Sequence, residues 1–236
     1  MNRKHNTLRR IATACVTVGL LGLVTSTSAR ADTAGERLAL SAAVLKEVMA
    51  TPDKAIPDDL LKSSYCVVIV PHVKGASFGI GGKYGRGFVL CRKENNAGWG
   101  APAAVRMEGG SFGFQIGASE TDVVMLVMDK GSIDGLLSSK FTVGGAAEAA
   151  AGPVGRSSTA QTDATMRAKI LSYSRSRGIF AGVALTGATL RQDLDENKEM
   201  YGKPLSNKEI INTGIAPPAT AAELITLLNG YSHVEK

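Results

Sequence analysis

At 236 residues, 44% hydrophobic and 20% charged, the chain is long enough to bury a full core as one domain. Its net charge of +6 is not a nucleic-acid signature: the first 31 residues hold five of the 27 basic residues and no acid, which leaves 22 basic against 21 acidic. Three histidines and three cysteines, widely spaced, offer no metal-ligand pattern.

The amino terminus is a targeting segment. Arg3, Lys4, Arg9 and Arg10 precede the apolar residues 11–24, and Ala29-Arg30-Ala31 supplies a small-x-small cleavage site. Residues 1–31 are therefore expected to be a signal peptide, and residues 32–236 one domain that works in the periplasm or outside the cell. Cys15 lies too close behind Arg10 to serve as a lipoprotein acceptor.

From Gly35 to Ala50, Leu38, Ala42, Leu45, Val48 and Met49 recur at helical spacing, so an amphipathic helix is predicted, stopped by Pro52. Glu36 and Glu47 offset Arg37 and Lys46, which favours packing on a core over a membrane-surface role. Pro57 suits the first turn of a second short helix through Lys62. Residues 62–110 then sum to +5 on a nearly neutral background, through Lys74, Lys83, Arg86, Arg92, Lys93 and Arg106 among others. Such a segment is either a solvated strand face or a surface for anionic lipid.

The period changes at Cys66. Residues 67–70 and 88–91 are apolar runs, Phe78-Gly-Ile80 alternates with glycine, and the glycine-rich residues 81–87 are predicted to be the turn between them. A second hairpin is expected from 99–107 and 111–117, turning at Gly109-Gly110. Residues 123–128 are apolar throughout and predict a central strand, 133–137 one helical turn, and 146–155 a loop or glycine-bent strand. Cys66 and Cys91 sit in strand contexts, either as a disulfide or as buried free thiols.

Residues 172–191 combine Arg175 and Arg177 with three serines, followed from Gly178 to Leu190 by thirteen residues without a charge. The run is too short and too rich in glycine for a membrane-spanning helix. It predicts one long strand buried on both faces. Arginine's planar fork and the small hydroxyls suit a phosphate; the competing reading pairs Arg175 with a buried acid, Asp122 or Asp163. Beyond it, Asp193 with Glu196, Ser206 with Glu209 and Thr220 with Glu223 have capping-box spacing. Gly202, Gly214 and Gly230 are expected helix stops, and Leu224, Ile225, Leu227 and Leu228 a short apolar helix.

Two G-x-S-x-G stretches, at Ser77 and Ser111, match the hydrolase nucleophile elbow, but strand patterns follow both serines where a helix is required. Gly79-x-Gly81 lacks the third glycine of a dinucleotide loop, and Gly82-Lys83 is followed by Tyr84 where a phosphate-binding loop needs Ser or Thr. No catalytic residue, cofactor or metal site is expected.

Eight segments in order carry a resemblance: I-P-D-D-L-L at 56–61, G-I-G-G-K-Y-G-R-G at 79–87, G-W-G-A-P at 98–102, G-S-F-G-F-Q-I-G at 110–117, F-T-V-G-G at 141–145, G-P-V-G-R at 152–156, the 172–191 stretch, and Y-G-K at 201–203. Together they resemble the SYLF family. The resemblance implies a lipid-binding domain, with phosphoinositide binding in animal members and actin binding in fungal ones, and no enzyme. The resulting expectation is an α+β fold: a bent antiparallel sheet or partly closed barrel with an amino-terminal amphipathic helix and a carboxyl-terminal helical cap. The function expected is lipid binding in the cell envelope, on phospholipid headgroups or an acyl chain. Lys74, Lys83, Arg86, Arg92, Arg175 and Arg177 are the candidate lipid contacts; the alternative is an envelope adaptor that binds another protein.

Overall fold

The computed structural model describes residues 32–51, 55–94, 97–145, 147–155, 168–176 and 178–233, with backbone alone at 77–80 and 111–116. Helix α1 (Ala34–Ala50) begins at a capping box: the Thr33 side chain accepts from the Glu36 N–H, and the Glu36 carboxylate accepts from the Thr33 N–H at 2.7 Å. Leu38, Ala42, Leu45 and Val48 form its buried face. The apolar stripe thus packs on the core, as its balanced charges favoured. Helix α2 (Asp58–Ser63) follows Pro57.

Strands β1 (Cys66–Cys91) and β2 (Ala103–Val127) dominate the fold. A strand of 26 residues, fully extended, would span about 86 Å. The two ends of β1 are nevertheless only 4.0 Å apart at Cα and joined by the Cys66–Cys91 disulfide, so the strand doubles back on itself. β2 follows it antiparallel around the bend, from Val89 opposite Ala103 to Cys66 opposite Val127. The register shift between Phe78 and Ile80 marks the turning point: β1 passes one residue there while β2 passes three, from Ile116 to Phe112. The outer track of a bend is the longer one.

That geometry moves both predicted turns. Residues 81–87 and Gly109-Gly110 are paired strand, and glycine serves close approach instead. At Gly87 a Cβ would fall 2.0 Å from the Ile69 carbonyl oxygen and 2.7 Å from Val70 Cα.

The remaining strands flank this ribbon. β3 is Lys140–Thr142, β4 Ala149–Ala151, β5 Ile170–Ser176, β6 Ile179–Gly182 and β7 Thr189–Gln192. β5 pairs with β2 from Val127 to Asp122 and carries β4 and β6; β7 pairs with β2 from Val105 to Glu108 and carries β3. The product is a strongly curled half-barrel. The single long strand expected over 178–190 is instead a hairpin arm, a loop and a second short strand. Gly178 (φ 78°) and Gly187 (φ 88°) take left-handed backbone that breaks extension, and Ile179 is 66% exposed rather than buried.

Both faces of the sheet's base are covered. Val67, Ile69, Phe88, Leu90, Val124 and Leu126 meet α1 and the carboxyl-terminal helix on one side, while Val68, Val70, Val89, Val123 and Met125 fill the curl on the other. This explains why 67–70 and 123–127 are apolar at every position rather than alternating. Among the described residues no helix is long and apolar enough to cross a membrane.

Between the strands, α3 (Ile133–Leu136) is the expected helical turn. The helical cap is α4 (Leu194–Tyr201), α5 (Asn207–Asn212) and α6 (Ala222–Tyr231). Asp193 caps α4, Gly202 ends it in left-handed backbone, and Ser206 with Glu209 forms a full capping box on α5. The third predicted box does not form: Thr220 lies within a short 3-10 turn, α6 starts without a side-chain cap, and Gly230 falls inside α6 rather than after it. Asn197 and Asn207 pin the cap to the sheet. The Asn197 Oδ1 accepts from the Ala104 N–H at 2.8 Å, and the Asn207 amide donates to the Ala104 carbonyl at 3.0 Å.

Candidate functional site

The six candidate cations divide by environment. Arg86 of β1 donates from Nε to Asp193 Oδ2 at 2.7 Å and lies 3.0 Å from Glu196 Oε2. Glu196 also holds Arg37 of α1, and Arg106 lies 3.8 Å from Asp193. The Glu196 side chain is wholly buried and that of Asp193 is 2% exposed. Burial pushes the Glu196 carboxyl above its usual range against the pull of Arg37 and Arg86. Burial likewise opposes the charge on Arg86, but Glu196 and Asp193 outweigh it and raise the guanidinium. The cluster ties α1, β1, β2 and α4 together.

Arg175 of β5 is the second internal cation. It donates to Asp122 Oδ2 from Nε at 2.9 Å, with Nη2 at 2.7 Å from the same oxygen, and ion-pairs with Glu47 of α1. Asp122 Oδ1 accepts from the His72 N–H at 2.9 Å, holding His72 at φ 50°, in left-handed backbone, within the bulge after Pro71. Of the two acids foreseen as partners, Asp122 pairs with Arg175, and Asp163 lies outside the described residues. Arg92 points inward too, donating to the carbonyls of Ser64 at 2.9 Å and Leu61 at 3.0 Å with its guanidinium 4.7 Å over the Trp99 ring. Arg177 lies outside the described residues.

Lys74 and Lys83 differ. Both are exposed, and neither has an ion pair among the described residues, although Lys74 stands opposite Glu120 in the register. A Cβ at Gly75 would sit 3.4 Å from Lys83 Cγ, so Lys83 shares the face of Gly75. Strand residues alternate, which puts Lys74 on the other face at the same level. This level lies past the flanking strands: β5 reaches only Asp122 and β7 only Glu108. Beyond them, among the described residues, β1 and β2 pair only with each other. There residues 117–120 are exposed in succession, as are 82–84, so water reaches both faces.

Sequence reasoning missed the partners of the arginines. Asp193 and Glu196 were visible as a cap pair, and the same two carboxylates take guanidinium groups from three elements. Within 178–190, Phe180 stacks on Tyr173 with ring centroids 5.3 Å apart, and a Cβ at Gly182 would meet the Gly152 carbonyl at 2.0 Å. The Cys66–Cys91 disulfide resolves the two readings of those residues. Among the described residues no His, Cys, Asp or Glu cluster is arranged for a metal.

The family described as "Ysc84: Las17-binding protein actin regulator" matches residues 108–231. An SH3 domain-containing protein of Schizosaccharomyces pombe is 34% identical over 179 residues, 75% of this chain and 41% of that protein. LAS seventeen-binding protein 3 of Saccharomyces cerevisiae is 32% identical over 181 residues, 75% of this chain and 39% of that protein. SH3 domain-containing YSC84-like protein 1 of Rattus norvegicus is 29% identical over 182 residues, 77% and 53% respectively. The chain therefore spans about half the length, or less, of these relatives. One of these names describes a binding protein, and the family description an actin regulator.

Proposed function

Because the chain belongs to the Ysc84 (SYLF) family, we propose that it is a non-enzymatic binding protein of the cell envelope that docks on anionic phospholipid through the projecting end of its sheet. The observation that carries this reading is the contrast among cations: Arg86, Arg92 and Arg175 are engaged inside the protein, whereas Lys74 and Lys83 are exposed, with no ion pair among the described residues, on opposite faces of the ribbon. A ribbon entering a headgroup layer end-on would place a lysine on each side, each worth about 1 kcal/mol against an anionic surface. The sequence farther along the ribbon, with Phe78 in register with Ile116 and Ile80 with Phe112, is apolar. An approach led by α1 would require exposing a face that is buried in the core. The leader-like residues 1–31 and the disulfide support an exported, oxidising setting, in which actin is not available as a partner.

Vesicle flotation tests the proposal. The protein is expected to float with anionic vesicles, to release as salt rises, and to ignore neutral phosphatidylcholine; Lys74→Glu with Lys83→Glu should abolish flotation at unchanged thermal stability. Equal binding to neutral vesicles, or indifference to both salt and the double substitution, would overturn it. A second reading, an envelope adaptor contacting another protein, draws on the name of the LAS seventeen-binding relative and on Tyr84 and Ile179, 48% and 66% exposed. Failure to float with any vesicle would favour it.

A further inference from the structure

We propose that a cleft at the opposite end of the sheet binds a phosphate-type oxyanion. The cleft, about 790 Å³, opens between the disulfide end of β1, the 3-10 turn at Lys130 and the carboxyl-terminal end of α5. Arg92, Lys93 and Lys130 line it, with Glu94 the one acid among the described residues there, and Ile133 and Ile211 give it an apolar wall. Lys93 and Lys130 are exposed, with no ion pair among the described residues.

Arg92 is the decisive group. Its half-buried guanidinium meets two carbonyl oxygens and the Trp99 ring but no carboxylate among the described residues. Burial accordingly lowers its pKa with no opposing acid. Elsewhere in this protein buried arginines have acids: Arg37 and Arg86 have Glu196, and Arg175 has Asp122. An oxyanion in the cleft would compensate Arg92, which lacks an acid among the described residues, with the two lysines closing around it. The inference does not depend on the sheet-end reading, because Lys74 and Lys83 lie away from this cleft.

Trp99 is the chain's single tryptophan and lies directly beneath Arg92, so its fluorescence reports on the site. Titration with inorganic phosphate, against chloride at matched ionic strength, is one arm; a short-chain anionic phospholipid below its micelle concentration is the other. A saturable Trp99 change is expected, weakened about tenfold by Lys93→Ala with Lys130→Ala and unaltered by Lys74→Glu with Lys83→Glu. Saturation by phosphate identifies a free oxyanion as sufficient, and saturation by the phospholipid alone identifies a headgroup site. No saturable change with either probe, or equal affinity in the Lys93 and Lys130 variant, would overturn the inference. Both lysines are exposed, so these variants keep the fold.

Discussion

The two ends of the β1–β2 ribbon are made of similar sequence and do opposite things. At the base, Gly85 and Gly87 let backbone and valine side chains pack where a Cβ would collide, the Cys66–Cys91 bond closes the strand on itself, and both faces are covered. At the projecting end, Gly82 and Gly110 have nothing within 4 Å of a Cβ position, and water reaches both faces. Cations follow the same division. Arg37, Arg86, Arg92 and Arg175 in the covered part have carboxylates or carbonyls as partners, and Lys74 and Lys83 on the projection have none among the described residues. Glycine content and positive charge acquire meaning only from the layer of structure that surrounds them.

The sharpest way to break the base is at its central acid. Glu196→Ala would leave Arg37 without its carboxylate and Arg86 with Asp193 alone, and a loss of about 3–5 kcal/mol is expected in denaturant unfolding. Removing the disulfide with Cys66→Ala and Cys91→Ala, which open a loop of sequence separation 25, should lower stability by about 2–4 kcal/mol. Glycine substitutions then compare the two ends directly: Gly87→Ala should destabilise by about 1–3 kcal/mol, and Gly82→Ala by less than about 0.5 kcal/mol. Equal effects would mean that the ends are packed alike. The smallest effect concerns the cap. The Ser206 hydroxyl and N–H hold the Glu209 carboxyl below its usual range, so its contribution to α5 is present above the ordinary carboxylate pKa and lost as pH falls through the lowered value. NMR titration of Glu209 should show that value move up toward the ordinary range in Ser206→Ala.

Much of the base was legible in the sequence because burial leaves a periodic trace. The helical spacing of Leu38, Ala42, Leu45 and Val48 located α1, and the unbroken apolar run at 123–128 signalled a central strand. The caps at Asp193 and Ser206 followed from local spacing. Glycine was the misleading residue. Clusters at 81–87 and 109–110 look like turns, yet a turn and a close strand approach both require a missing Cβ, and single-chain spacing does not separate them. The same ambiguity merged β6 and β7 into one expected strand. Ion pairs were the least legible, since Arg86 and Glu196 are separated by more than a hundred residues and meet only once α4 has folded across β2. For Arg175, the pairing with Asp122 was among the alternatives because an arginine beside an apolar run needs a partner.

Hydrogen exchange on the protein with and without anionic vesicles tests most directly whether the projecting ribbon is the contact surface and the base its frame. Added protection is expected along 74–83 and 109–121, with α1 and the disulfide end unchanged. Protection appearing in α1 while the ribbon stays as it was would contradict the account.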